Sequence, residues 1–250
     1  MRQFIILLKK DLLELYRTKK ILIVGIVFIL FALASPILAK ITPDLLGSIT
    51  EFEIEIPEAT IVDSYDQLAQ NFTQLGLFTI VIAFGGLIVN ERKKGLYNTL
   101  LNNGVKKSNF ILAKITAQIG VVLGIYLISC LLFSVYNYVL FGSFLVEYSI
   151  LSFLSLFLFL IFVISIVNFF GSFIKSTILS IILSFSTAIL MIVFELFRFG
   201  RYLPNHLVNI SINIFKDQTS LNYAYITIIN TILISLVLFG LSIMLCKNKE

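Results

Sequence analysis

The chain has 250 residues, 58% of them apolar and 13% charged, with a mean hydropathy of +1.00 and a formal net charge of +5. A soluble domain is not built from such a composition, and segments of about ten residues with alternating polarity, the mark of a transmembrane barrel, are missing. The expected class is an all-α polytopic membrane protein in one domain, 1–250. Its positive charges sit at span ends, which excludes reading them as a nucleic-acid footprint.

The first 20 residues place Phe4, Ile5, Leu8, Leu12, Leu15 and Tyr16 on one helical stripe, with Arg2, Lys9, Lys10, Glu14 and Arg17 mostly off it. A basic amphipathic helix of this kind lies in the plane of the membrane interface. A signal peptide with its apolar region at Ile21 to Leu38 and a cleavage site near Ala34 or Ala39 is the competing reading. It fits poorly, because such regions run about 7–15 residues and their leaders are not acidic amphipathic helices.

The first span is expected at 21–39, with Pro36 near its outer end, where a helix ends or kinks at little cost. An outer segment, 42–71, carries Asp44, Glu51, Glu53, Glu55, Glu58, Asp63 and Asp66 and no Lys or Arg. Residues 51–56 alternate polar and apolar, as a short extended piece does. The carboxylates serve solvation or hold a divalent ion, although EF-hand spacing is absent. The second span, 72–89, contains Gly85 and Gly86, a pair small enough to let helices approach closely in lipid.

A basic loop, 90–109, follows. Leu96, Tyr97, Leu100 and Leu101 fall on one face of a short helix, with Asn98, Thr99 and Asn102 on the other. Asn103-Gly104 supplies its stop, since Gly adopts the left-handed conformation that ends helices. A helix this short is marginal alone in water. Two readings stand: a surface helix whose apolar face needs a partner, or a basic loop that only sets topology. Glu91, followed by Arg92-Lys93-Lys94, is either a plain charged helix end or a tie to the N-terminal helix through Lys9, Lys10 or Arg17.

Ser108 is positioned to cap a third span at 110–135, which can run on to Leu140. A short outer turn with Gly142, Ser143 and Glu147 leads to a fourth span, 150–170. Gly171 to Thr177, with Lys175, is a tight inner turn before a fifth span, 178–197. The second outer segment, 198–221, holds Leu207, Ile210, Ile214 and Phe215 at the spacing of a short interfacial or re-entrant helix. The sixth span is 223–245.

In this arrangement the N-terminal helix, the 90–114 region, Lys175 and the C-terminal tail hold fifteen of the nineteen Lys and Arg residues. Lys40, Arg198, Arg201 and Lys216 fall outside. The asymmetry places both termini in the cytoplasm.

Few residues carry chemistry. His206 is the only histidine, and Cys130 and Cys246 form no metal-ligand or redox spacing. Gly171 to Thr177 ends in Lys-Ser-Thr but lacks the Gly before the Lys and the preceding strand of a phosphate loop. The chain therefore has no visible means of binding ATP and no catalytic or metal constellation. Glu195 is the one acid expected within a span, three residues before Arg198, which favours a local ion pair over a proton relay. Gln118, Asn168 and Asn230 either line a path or hydrogen-bond between helices.

One order of features is more specific. The opening Lys9-Lys10-Asp11-Leu12-Leu13-Glu14-Leu15 and Arg17-Thr18-Lys19-Lys20 precede six spans and a large first outer segment. After the second span come Gly85-Gly86, Glu91-Arg92-Lys93-Lys94-Gly95, Leu100-Leu101, Gly104-Val105-Lys106-Lys107-Ser108-Asn109-Phe110 and Ala113-Lys114. This resembles the permease subunits of type-2 ABC exporters over nearly the whole chain. That family commonly has Pro before the Val of this loop, where this chain has Gly104.

The resemblance implies a half-transporter of the bacterial plasma membrane that pairs with a second copy or a related permease. Two separate ABC ATPase subunits, carrying ATP and Mg, would dock beneath it. Glu91, Arg92, Lys93, Lys94, Gly95, Leu96, Tyr97, Leu100 and Leu101 would form the ATPase-coupling contact, with Lys9, Lys10 and Arg17 of the interfacial helix adding to it. The cargo implied is hydrophobic or amphipathic: peptide, drug or lipid, along a substrate path that the sequence does not identify. The alternatives are a non-pumping sensor or immunity subunit, an ion-coupled secondary transporter, for which midplane ionisable groups are wanting, and a membrane-embedded enzyme, which lacks its catalytic residues.

Overall fold

A computed structural model describes residues 2–49, 57–142, 147–194, 197–216 and 221–246. Among them every regular element is helical. Six helical stretches are long and apolar enough to cross a membrane: Lys20–Pro43, Ile61–Lys93, Lys107–Phe141, Ser149–Phe173, Thr177–Phe194 and Asn222–Leu245. The protein is a polytopic α-helical membrane protein.

The helices are α1 (Arg2–Arg17), α2 (Lys20–Ile49), α3 (Ile61–Asn71), α4 (Leu77–Phe84), α5 (Leu87–Lys93), α6 (Leu96–Asn102), α7 (Lys107–Phe141), α8 (Ser149–Phe173), α9 (Thr177–Phe194), α10 (His206–Asn213) and α11 (Leu221–Leu245). Helix α8 is central and packs on α4, α9, α10 and α11, while α7 packs on α1 and α2.

The outer surface of the bundle is apolar, unlike that of a soluble protein. Leu22, Ile26 and Leu30 of α2, Leu127, Leu131 and Val135 of α7, and Ile229, Leu233 and Leu236 of α11 are exposed. Small polar side chains are buried among the apolar ones of the interior. Ser64 donates to Asn137 Oδ1 at 2.8 Å, and Ser152 donates to the Ser211 carbonyl at 2.9 Å. Asn168 Nδ2 donates to Gln118 Oε1 at 2.6 Å, so these two residues bond to each other across α7 and α8. In lipid, where apolar burial gives helices no reason to associate, small residues and interhelical hydrogen bonds hold them together. Aromatic rings fill the rest of the centre, with Tyr65 packed among Phe133, Phe153 and Phe215.

Two boundaries differ from the sequence reading. Helix α2 passes through Pro36 and Pro43 and continues to Ile49. The second span begins at Ile61 rather than Phe72, because Thr60 and Asp63 cap its start: the Thr60 N–H and hydroxyl donate to Asp63 Oδ2 at 2.7 and 2.8 Å. A π-helical turn, Phe72–Gly76, then joins α3 to α4. Within that turn Gly76 lies against the Phe28 ring, where an added Cβ would stand 3.2 Å from the ring edge. Residues 51–56, expected as a short extended piece, lie outside the described residues, as do Glu195 and the side chain of Arg198, expected as its partner.

Helix α1 also turns a different face inward. It buries Leu7, Asp11 and Leu15 against α7 and leaves Ile5, Ile6, Leu12, Leu13 and Tyr16 exposed. Of the expected stripe, Leu15 alone is fully buried. The rotation follows from Asp11, which reaches a buried lysine on α7.

Candidate functional site

The second span breaks before it ends. Gly85 and Gly86 separate α4 from α5, and both are in tight contact with α9: a Cβ on Gly85 would stand 2.7 Å from Ile181 Cγ1, and one on Gly86 2.8 Å from Thr177 Cγ2. Helix α5 buries Leu87, Ile88, Val89 and Glu91. Gly95, at φ +74°, turns the chain into α6, a conformation that Gly adopts without a Cβ penalty. The stop expected at Asn103-Gly104 is present. Gly104 has φ +80°, its N–H donates to the Leu101 carbonyl, and the Val105 N–H reaches back to Leu100, the Schellman arrangement.

The apolar face of α6 finds much of its partner within the chain. Tyr97 is 1% exposed, its ring lies 5.0 Å from that of Phe110, and its hydroxyl donates to the Cys246 carbonyl at 3.2 Å. Leu100 and Leu101 are half-buried on a small cluster of Ile88, Tyr97, Phe110, Ile111, Ile115 and Cys246. Burial pushes the Tyr97 hydroxyl and the Cys246 thiol upward, so both stay neutral. Lys93, Lys94, Leu96 and Thr99 remain exposed. The nine residues expected as one contact surface therefore divide into an outward set and an inward set.

The inward set reaches the neighbouring helix ends one by one. The Arg92 guanidinium donates to the carbonyls of Ser172 at 2.6 Å and Ile174 at 3.3 Å, at the end of α8. These are carbonyls that a helix terminus leaves without partners, and a cation suits the negative end of the helix dipole. Asn90 accepts from the Thr177 hydroxyl at the start of α9, at 2.7 Å. Lys107 Nζ donates to the Met244 carbonyl near the end of α11, at 2.8 Å. Gln3 of α1 donates to the Gly104 carbonyl at 3.3 Å and accepts from Asn109 at 3.4 Å.

Glu91 anchors the strongest of these ties. Lys114, on α7, is 1% exposed. Its ammonium lies 3.0 Å from Glu91 Oε2, 3.1 Å from Asp11 Oδ1 and 3.6 Å from Glu14 Oε2. Lys10 ion-pairs with Glu91 Oε1 and sits 3.0 Å from Asp11 Oδ1. Of Lys9, Lys10 and Arg17, Lys10 makes the contact between α1 and the loop, while Lys9 and Arg17 are exposed. Burial pushes the Glu14 carboxyl above its usual range and the Glu91 charge adds to this, against the pull of Lys114 and Lys10. Oxygens of Asp11, Glu14 and Glu91 lie within 4.8 Å of one another, a ligand set for a metal ion. Two lysine ammoniums already occupy the cation positions among them.

Asp11, Glu14 and Lys114 are the residues of this cluster absent from the sequence-derived contact set. Lys114 lies inside a span, where an ionisable group signals function by default. That signal was available and points to the buried lysine as plainly as to Glu195. Comparison of the sequence with models of known protein families and with curated proteins returns no match.

Proposed function

We propose that the chain is the membrane-spanning subunit of an exporter driven by a separate ABC ATPase, a permease of the type-2 kind in the bacterial plasma membrane. Its α6 end faces the cytoplasm, a second permease completes the path, and a hydrophobic or amphipathic peptide, drug or lipid crosses it. ATP and Mg belong to the ATPase. The observation that carries the reading is the division of the 90–107 segment. Its inward side chains hold α1, α7 and the adjoining ends of α8, α9 and α11, while Lys93, Lys94, Leu96 and Thr99 face outward. A push on that outward face is delivered to five helices at once. Such a push does work only if the ATPase contacts the face differently in its two states.

The test uses the full chain with whichever nucleotide-binding protein co-purifies with it, reconstituted in vesicles. Leu96→Asp combined with Lys94→Glu alters the outward face alone, so the folded chain should persist while ATPase binding and ATP-dependent export are lost. Leu100→Asp and Leu101→Asp, which the sequence alone nominates, would also disturb the chain's own cluster and are the poorer probes. Export that proceeds uphill without a companion ATPase, or labelling of a cysteine at position 94 by an impermeant reagent from outside the cell, refutes the reading.

A further inference from the structure

We propose that the outward face of α1 docks on anionic phospholipid: its apolar side chains enter the leaflet beside α2, while Arg2, Lys9 and Arg17 hold lipid phosphates. Nothing in this depends on what crosses the membrane.

Helix α1 is sorted by charge as well as by polarity. Its inward face carries Leu7, Asp11 and Leu15. Both of its acids are met by lysines: Asp11 lies 3.0 Å from Lys10 and 3.1 Å from Lys114, and Glu14 lies 3.6 Å from Lys114. The opposite face holds Ile5, Ile6, Leu12, Leu13 and Tyr16, with Ile5 61%, Ile6 60% and Tyr16 71% exposed. Successive helical residues turn by about 100°, which sets Arg2 and Lys9 amid that apolar row and Arg17 at its edge. All three cations are exposed, and none has a carboxylate partner among the described residues.

That mixture selects the occupant. A protein groove that buried the apolar row would bury Arg2 and Lys9 with it, and a buried charge needs a paired partner. A leaflet takes both kinds of side chain at once. Apolar groups sink below the phosphates, and long basic side chains snorkel up to them. Because the face carries no acid, its charge is of one sign, and that sign is drawn to anionic headgroups. The stripe expected from the sequence changes accordingly: Leu15 is docked on the bundle, and lipid takes Ile6 and Leu13 in its place. Lys9 and Arg17, which the family resemblance offers to the ATPase, go to lipid instead.

The depth of α1 agrees. Helix α7 has 35 residues, about 52 Å of helix against about 30 Å of hydrocarbon. Its first turn, with Lys107, belongs at the headgroups, since a charge in hydrocarbon is costly. Helix α1 runs along that end of α7: Gln3 meets Asn109, Lys10 lies over the Phe110 ring, and Asp11 meets Lys114. The chain then turns at Lys19, φ +57°, straight into the first span, whose Leu22, Ile23 and Ile26 are exposed. The apolar row of α1 continues that lipid-facing surface.

The chain has no Trp, so Tyr16→Trp places a single fluorophore in the middle of the row. The full chain carrying it goes into nanodiscs of mixed phosphatidylcholine and phosphatidylglycerol, with one lipid or the other brominated on its acyl chains. Both lipids should quench the Trp, and phosphatidylglycerol should do so severalfold more at equal mole fraction. Adding Arg2→Gln, Lys9→Gln and Arg17→Gln should abolish that excess and keep the quenching by phosphatidylcholine, which shows α1 still at the leaflet. Equal quenching by the two lipids, or an excess that survives the three substitutions, overturns the proposal. So does quenching by neither lipid together with a blue shift on adding the co-purifying nucleotide-binding protein, which assigns the face to that protein. The readout needs neither ATP nor cargo, so it fails or succeeds separately from the exporter reading.

Discussion

Replacing Lys114 with Met keeps most of the side-chain volume and removes one charge. In the natural chain that ammonium is 1% exposed and lies within 3.6 Å of three carboxyl groups. Taking one partner from a buried ion cluster costs about 3–5 kcal/mol, because the charge left behind has neither water nor a counterion. Protonation sets an independent ceiling. At about pH 7 a carboxyl with an ordinary value near 4.3 gains a proton at a cost of about 1.36 kcal/mol for each of about 2.7 units, or about 3.7 kcal/mol. One proton taken up by a carboxyl of the cluster would offset the charge that Lys114 supplied. At pH near 5 the same step costs about 1 kcal/mol. Lys114→Met should therefore lose about 3–4 kcal/mol of docking stability at neutral pH and about 1 kcal/mol at pH near 5. The readout is exchange protection of α1 amides in nanodiscs at the two pH values. A defect of the same size at both would show that lost packing, not stranded charge, is the cause.

Two further expectations concern the loop's other anchors. Arg92→Ala should strip the partners from the Ser172 and Ile174 carbonyls and cost about 1.5–3 kcal/mol, the range for hydrogen bonds to a charged group. Faster exchange confined to residues 168–180 would show it, and Arg92→Lys should rescue it only in part, since a single ammonium cannot reproduce the planar fork. Gly85→Ala would put a methyl 2.7 Å from Ile181 and 2.6 Å from the Val81 carbonyl, an overpacking worth about 1–3 kcal/mol. Gly120→Ala, with open space around it, should leave thermal stability unchanged or slightly raised.

The fold was legible because bilayer physics leaves a coarse trace. All six spans appear where apolar runs stand in the sequence, and the loop helix with its Gly104 stop appears where side-chain spacing and one dipeptide put it. What escaped was local. The start of α3 was written in Thr60 and Asp63, three residues apart ahead of an apolar run, a capping signal masked by the acidic stretch around it. The course of α2 through Pro36 was not legible at all, because a proline's cost in a membrane helix depends on which neighbours satisfy the freed carbonyl.

The loop helix was legible in place, but the direction its apolar face takes was not. Periodicity reports which residues share a face of a helix; it does not report where that face points. On α6, Tyr97, Leu100 and Leu101 form a face, but the end of α11 and the start of α7 come to cover it, and both are remote in sequence. On α1 the apolar stripe is real, yet the helix is rotated by two charged contacts, Asp11 and Lys10, that outweigh the burial of Ile5 or Leu12. A buried ion cluster is worth several kcal/mol when broken, whereas an exposed Leu or Ile at a lipid or partner boundary forgoes nothing if lipid or partner covers it. A charged residue inside an apolar run therefore ranks above the apolar pattern as a predictor of how a membrane-surface helix docks. Lys114 was such a residue, and the three acids it gathers could have been sought from it, beginning with Asp11, Glu14 and Glu91.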